Sequence, residues 1–290
     1  MPKRTKKEKQ APNTIVFLVE GESDKIALEV PLSNMIDERF PEYQVKFLLQ
    51  ERQVSKTGDE VEDKTTDDED DDEELIEEIS YESGGDITTS SFVKPSNIEL
   101  KITNRFIKPA VRKDGLYPKK IAKIIHIVDM DGVYIPNENV VPYSARHQSN
   151  EKPFYDGENG LIETANVEGI IDRNNRKCQN LEYLLNLPEQ KIKIQTKSIP
   201  YEIYFFSSNL DHFINQDANI ESRKKYLANN FVRTYGIDIE EYSKFFLTDE
   251  ASVGRLGYKE SWDFIKQGSN SVQRYTNIDC LIRRLVEVEK

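Results

Sequence analysis

Three short clusters of oxygen-bearing side chains stand out in this 290-residue chain, and each is of a kind that holds hard cations. The first is Glu20-Gly21-Glu22-Ser23-Asp24, with Asp24 four positions after Glu20. The second is Asp129-Met130-Asp131-Gly132. The third is Ser207-Ser208-Asn209-Leu210-Asp211, which adds an amide oxygen at Asn209 and a carboxylate at Asp211. Residues two apart at a strand end can point to the same side, so Asp129 and Asp131 are expected to converge. Carboxylates brought together repel unless a cation lies between them, and hard oxygen donors suit Mg2+ or Mn2+. On that reasoning Asp129→Asn or Asp131→Asn should each relieve repulsion in the metal-free protein. Local structure offers plainer roles too, since Ser23, Asp24 or Asn209 could cap a helix.

Each cluster follows an apolar run. Residues 14–19, 121–128 and 201–206 read as strands buried on both faces, and 43–49 as one more strand. Leu28, Leu32, Met35, Ile36 and Phe40 have helical spacing, although Pro31 is expected to kink or restart that helix. Residues 96–114 and 166–187 read as helices, 136–160 as a long loop, and 217–289 as mostly helical. In that last stretch Phe231, Phe246, Trp262 and Ile265 are candidate core residues, and His126 inside its strand is read as a core histidine. Strands alternating with helices predict an α/β fold, a mainly parallel sheet flanked by helices, with a helical C-terminal region. In such sheets ligands lie beyond the carboxyl ends of the strands, so the three clusters should meet.

Charge divides the chain unevenly. Residues 59–78 hold fourteen Asp or Glu and one Lys, a net of −13 against −12 for the whole chain, which leaves the rest near neutral. Like charges this dense repel one another, so 51–95 is expected to be a disordered acidic insertion. The expected organisation is a basic disordered lead over 1–13, an α/β domain over 14–215 carrying the insertion, and a helical region over 216–290. No apolar run approaches the ~20 residues needed to cross a bilayer. No signal peptide is expected, because five Lys or Arg within the first ten residues precede no apolar stretch before Ile15. Two distant cysteines, Cys178 and Cys280, cannot build a disulfide framework or a zinc site. A soluble, cytoplasmic protein without membrane contact is the expectation.

A strand ending in Glu20-Gly21, followed by a later strand ending in Asp129-x-Asp131, resembles the Toprim domain of topoisomerases, primases and several nucleases. The resemblance covers about residues 14–215 and implies a Toprim-like fold. The chain is most similar to the nuclease branch that includes the OLD family, which adds an acid four residues after the Glu and a polar-x-acid step on a later strand. Asp24 and Asn209-x-Asp211 stand in those places. The resemblance implies a divalent-metal-dependent nuclease cleaving phosphodiester bonds of DNA or RNA, tRNA included. Glu20, Asp129 and Asp131 would hold one metal, and Glu20, Asp24 and Asp211 a second. Lys259 and Lys266 are candidates for a cation near the phosphate. No G-x-x-x-x-G-K-[ST] motif occurs, so any ATPase would be a partner protein. That combination resembles small Toprim effectors of bacterial anti-phage defence and abortive infection; a homo-oligomer is a further possibility.

Two other readings compete. Asp129-Met130-Asp131-Gly132-Val133 resembles the nucleophile motif of haloacid-dehalogenase-type phosphatases, but that reading leaves Glu20-Gly21 unexplained and finds no paired acidic motif downstream. A scaffold or inhibitor acting through its acidic segment would account for 59–78 alone.

Overall fold

The computed structural model describes residues 13–54, Glu60, 80–147 and 152–286. β1 (Asn13–Val19) leads through α1 (Glu22–Arg39) to β2 (Tyr43–Leu49) and a short hairpin of β3 (Glu51–Val54) and β4 (Ser80–Ser83). Next come α2 (Ile98–Ile102), one π turn (Thr103–Ile107), α3 (Lys108–Asp114) and β5 (Ile121–Asp129). β6 (Val140–Pro142), β7 (Phe154–Asp156) and β8 (Leu161–Thr164) precede the long α4 (Val167–Leu185). β9 (Lys191–Ile194) and β10 (Lys197–Phe206) follow, then α5 (Leu210–Asn215), α6 (Lys224–Phe231), α7 (Ile239–Thr248), α8 (Tyr258–Ile265) and α9 (Ile278–Val286).

The central sheet has the order β2-β1-β5-β10-β9. The first four strands run parallel, and β9 adds an antiparallel edge by pairing with β10. Alternation along β1 sends Val16 and Leu18 to one face and Phe17 and Val19 to the other. The first face packs against α2, α3, α4 and α8 through Ile102, Leu181 and Trp262. The second packs against α1, α6, α7 and α9 through Leu28, Phe231, Phe246 and Ile282. Full burial of a side chain such as Phe17 contributes roughly 1.5–3 kcal/mol, so β1 is held from both sides. The C-terminal helices thus cover the same sheet that carries the acidic clusters.

Several expectations need correction. α1 starts at Glu22, which puts Asp24 in its first turn, and it runs unbroken through Pro31. The stretch 136–160, expected as a loop, supplies β6 and β7, which flank β8 in a three-stranded sheet. The acidic insertion is not uniformly solvated. β3 pairs with β4 at its ends, and Ile87, Thr88 and Val93 are buried. A charge run cannot bury itself, but the apolar residues after Gly84-Gly85 can, and they do. Residues 55–59 and 61–79, most of the acidic run, lie outside the described residues, as does the 1–12 lead.

Candidate active site

β1 and β5 are parallel neighbours, so their carboxyl ends lie side by side. Glu20 follows β1, and Asp129 is the last residue of β5. The Asp129 N–H donates to Glu20 Oε1 at 2.9 Å. Asp131 lies past the strand, and a turn delivers its carboxylate, not the strand alternation that the spacing suggested. Asp131 has φ +50° and Gly132 φ +68°, two successive left-handed residues. A non-glycine residue there costs roughly 1–2 kcal/mol. The turn is pinned where the Met130 N–H donates to the Phe206 carbonyl (2.8 Å) and the Asp131 N–H to that of Ser208 (2.9 Å). At Gly132 a Cβ would come within 2.8 Å of Ile162 Cδ1, so the close approach also requires glycine.

Three residues that sequence reasoning did not select complete this side of the cluster. Asp86 arrives from the end of the acidic insertion, where the Gly85 N–H donates to the Glu20 carbonyl at 2.7 Å. The Thr88 N–H and hydroxyl donate to Asp86 Oδ1 at 2.7 and 2.6 Å. Lys177 of α4 has no exposed side-chain surface, and its Nζ lies 2.7 Å from Asp86 Oδ2, 3.1 Å from Asp131 Oδ2 and 4.0 Å from Glu20 Oε1. It also donates to the Asp129 carbonyl. Arg173, one turn earlier, donates to the Asp131 carbonyl (2.9 Å) and to the Tyr155 hydroxyl (3.1 Å), which itself donates to Asp131 Oδ1 (3.3 Å). The buried face of α4 runs Asn174, Lys177, Leu181, Leu184, a helical stripe in which a lysine at a core position was a readable signal.

The other side gathers Asp24, Asp129 and Asp211. Asp24 Oδ2 accepts the Gly21 N–H at 2.8 Å, capping α1 from within its first turn. Asp211 is paired with Lys224 at 3.0 Å. Asp129 Oδ1 accepts the Leu210 N–H at 3.1 Å. Asn209 is nearby, but both ends of its amide are engaged: Oδ1 caps α5 through the His212 N–H (2.8 Å) and Nδ2 donates to the Ala218 carbonyl (2.8 Å). It is the helix cap of α5. Lys259 is exposed on α8, and Lys266 pairs with Glu182 at 2.6 Å beside the Tyr134 ring. Among the described residues no hydrogen bond or ion pair joins either lysine to the carboxylates; Lys177 and Lys224 are the lysines that pair with them. His126 is buried against Tyr201, with Nδ1 and the hydroxyl 2.7 Å apart, and burial lowers it to about 4. His212 Nδ1 lies 3.0 Å from Ser208 Oγ, and burial followed by Arg274 lowers it to about 4.

The electrostatics differ residue by residue. Burial, then Asp86, pushes Glu20 well above the usual carboxylate range. Burial, then Asp24 and Asp131, does the same to Asp129. Burial raises Asp24 from 3.8 to about 6, against the Gly21 hydrogen bond. Asp131 is the exception: burial would raise it, but Lys177 and Arg173 together hold it below its ordinary value. The apo-state repulsion expected of both aspartates therefore applies to Asp129 and not to Asp131.

The donor set fits a hard divalent cation. Glu20, Asp86 and Asp131 each offer an oxygen, and these oxygens lie within 4.8 Å of one another. Ligand distances near 2.0–2.6 Å are compatible with that spacing. Burial first, and neighbouring carboxylates second, hold Glu20 and Asp129 toward their neutral form. A cleft of about 1070 Å3 adjoins the cluster at Tyr155, with Phe154, Tyr275, Arg146 and Arg255 along its walls. Searches against protein-family models, curated proteins and solved structures find no match to this chain. No helix of the described residues is long and apolar enough to cross a membrane.

Proposed function

We propose that this chain is a divalent-metal-dependent phosphodiester hydrolase acting on nucleic acid, Toprim-like in design. The observation that carries the reading is the meeting of Glu20, Asp129 and Asp131 with Asp24, Asp86 and Asp211 beyond the carboxyl ends of β1, β5 and β10. Glu20 is joined to Asp129 by a hydrogen bond, which supports this reading over the phosphatase alternative, in which Glu20 has no part.

Glu20, Asp86 and Asp131, whose oxygens lie within 4.8 Å of one another, would hold Mg2+ or Mn2+. The bound ion supplies charge stabilisation at the scissile phosphate and a more acidic water. The chain's own residues do the rest. Arg146 and Arg255 are exposed at the cleft and suited to backbone phosphates, and its aromatic side chains to bases. Lys177 keeps a fixed positive charge against Asp86 and Asp131. An ATPase partner would supply nucleotide-driven control, in the manner of an anti-phage effector, because the chain has no P-loop of its own.

The test is incubation of the purified chain with Mg2+ or Mn2+ and labelled single- and double-stranded DNA and RNA. Cleavage that EDTA and Asp129→Asn both abolish is the expected result. Cleavage that survives Asp129→Asn would place the chemistry elsewhere.

A further inference from the structure

The three-stranded sheet of β6, β8 and β7 leans on the Asp131 turn, and Tyr155 of β7 is where it meets the carboxylates. The Tyr155 hydroxyl donates to Asp131 Oδ1 at 3.3 Å and accepts from Arg173 at 3.1 Å. Its backbone is fixed as well. The Tyr155 N–H donates to Asn219 Oδ1 at 2.8 Å, and Asn219 Nδ2 donates back to the Tyr155 carbonyl at 3.0 Å. The Tyr155 ring packs with Ile135, Val140, Ile162 and Val272, and two of these, Ile162 and Val272, also close over Gly132. One side chain is thus held by a strand partner, by the chain beyond α5 and by α4 before it reaches Asp131. Asp131 has need of such a hold. Its backbone is left-handed, with φ +50°, and it lies past the end of β5, so no strand pairing aims its carboxylate. Lys177 holds Oδ2 at 3.1 Å, and Tyr155 holds Oδ1.

We propose that Tyr155 is a positioning residue for a divalent ion at Glu20, Asp86 and Asp131. Its hydroxyl keeps Asp131 Oδ1 in the orientation in which that carboxylate can join the other two on one ion. The three oxygens lie within 4.8 Å of one another only while Asp131 keeps its rotamer. A carboxylate free to turn must be ordered each time an ion binds, whereas one already held is not, and a hydrogen bond from a fixed hydroxyl supplies that hold. Tyrosine suits the role because its ring is rigid, so a clamped backbone delivers the hydroxyl to one place. This inference rests on reading Glu20, Asp86 and Asp131 as a metal site, and it adds a residue that acts on the ion through Asp131.

The experiment measures the Mn2+ affinity of the full-length chain without nucleic acid, by calorimetry and by electron paramagnetic resonance of free Mn2+. The variants are Tyr155→Phe, Asn219→Ala and Tyr134→Phe. Tyr155→Phe keeps the ring and loses only the hydroxyl, and it is expected to bind Mn2+ about 10–100-fold more weakly, the range for outer partners of metal ligands. Tyr134→Phe is the control: its hydroxyl donates to Glu182 at 3.2 Å, outside the cluster, and its affinity should match the wild type. A purely structural role would lower the melting temperature of Tyr155→Phe in EDTA and leave its Mn2+ affinity unchanged, and that result overturns the proposal, as does tighter binding. Asn219→Ala loosens the Tyr155 backbone and leaves the hydroxyl in place. It should weaken binding by a smaller factor, and it decides the matter if Tyr155→Phe does not fold, unchanged affinity then overturning the proposal. If the wild type itself binds no Mn2+, the metal reading and this inference fall together, whereas equal affinities in the wild type and Tyr155→Phe overturn this inference alone. Failure of the hydrolase reading is separate, because cleavage plays no part in these affinities.

Discussion

The two sides of the carboxylate cluster contain three acids each and are built from opposite logic. On one side Glu20, Asp86 and Asp131 face Lys177, whose side chain is 0% exposed. On the other Asp24, Asp129 and Asp211 face Lys224, whose side chain is 41% exposed. A buried ammonium is permanently committed, because leaving its partners would strand a charge in low dielectric. A half-exposed one keeps water on its own side even while its partner Asp211 is buried. The same count of charges can therefore be a rigid structural unit on one side and a pair open to water on the other.

The largest effect should come from Asp129, whose backbone N–H also donates to Glu20 across the two sides. Asp129→Asn is expected to lower metal-dependent cleavage roughly 100-fold or more, since even the outer partners of metal ligands cost 10–100-fold. The fold without metal should be unharmed, because burial and neighbouring acids already push Asp129 toward its neutral form. Asp131→Asn should behave differently, losing activity and also destabilising the metal-free protein, because it removes a partner of Lys177. Denaturant melts of the two variants in EDTA give the comparison, and equal stabilities would break it.

Exchanging the lysines tests burial directly. Lys177→Met should cost about 3–5 kcal/mol in EDTA, the range for removing one partner of a buried ion pair. Lys224→Met should cost less than that, because Lys224 itself is 41% exposed, although its partner Asp211 is buried. If the two losses come out alike, burial is not what separates the sides.

The pH dependence sharpens the comparison further. Asp24 stands at about 6 in the folded chain against an ordinary 3.8. Between those values the folded state holds the proton more tightly than the unfolded one, so its contribution to stability is lost as pH rises from about 4 to about 6. Glu20 and Asp129, also raised, act in the same sense. Melting temperature in EDTA should fall across that window, and Asp24→Asn should flatten the fall. With saturating Mn2+ the trend should weaken or reverse, since deprotonated carboxylates bind the ion.

The smallest effects separate neighbours from ligands. Asn209→Ala should cost about 1 kcal/mol through loss of the α5 cap and leave Mn2+ affinity unchanged. Lys259→Ala should move neither stability by more than about 0.5 kcal/mol nor cleavage measurably. Weakened Mn2+ binding in Asn209→Ala would return that residue to the ligand set.

The chain's linear pattern was sufficient for the sheet strands that matter. Continuous apolar runs at 14–19, 121–128 and 201–206 could only be strands buried on both faces, and polar residues at their ends had to emerge together. Glu20, Asp129 and Asp211 were legible for that reason. Asp24 was legible by spacing, although its capping of α1 is a local role that the same spacing also permits. What only the tertiary structure decided is which cations answer these acids and which other acid joins them. Asp86 follows a charge run that reads as solvent-exposed, and its entry depends on Gly84 and Gly85 turning the chain back onto Glu20. Lys177 sits more than 150 residues from Glu20 on a helix whose stripe shows burial but not what the lysine meets. Local patterns report the period and polarity of one segment, whereas charge pairing depends on distances between segments, and those exist only once the sheet and its covering helices have packed.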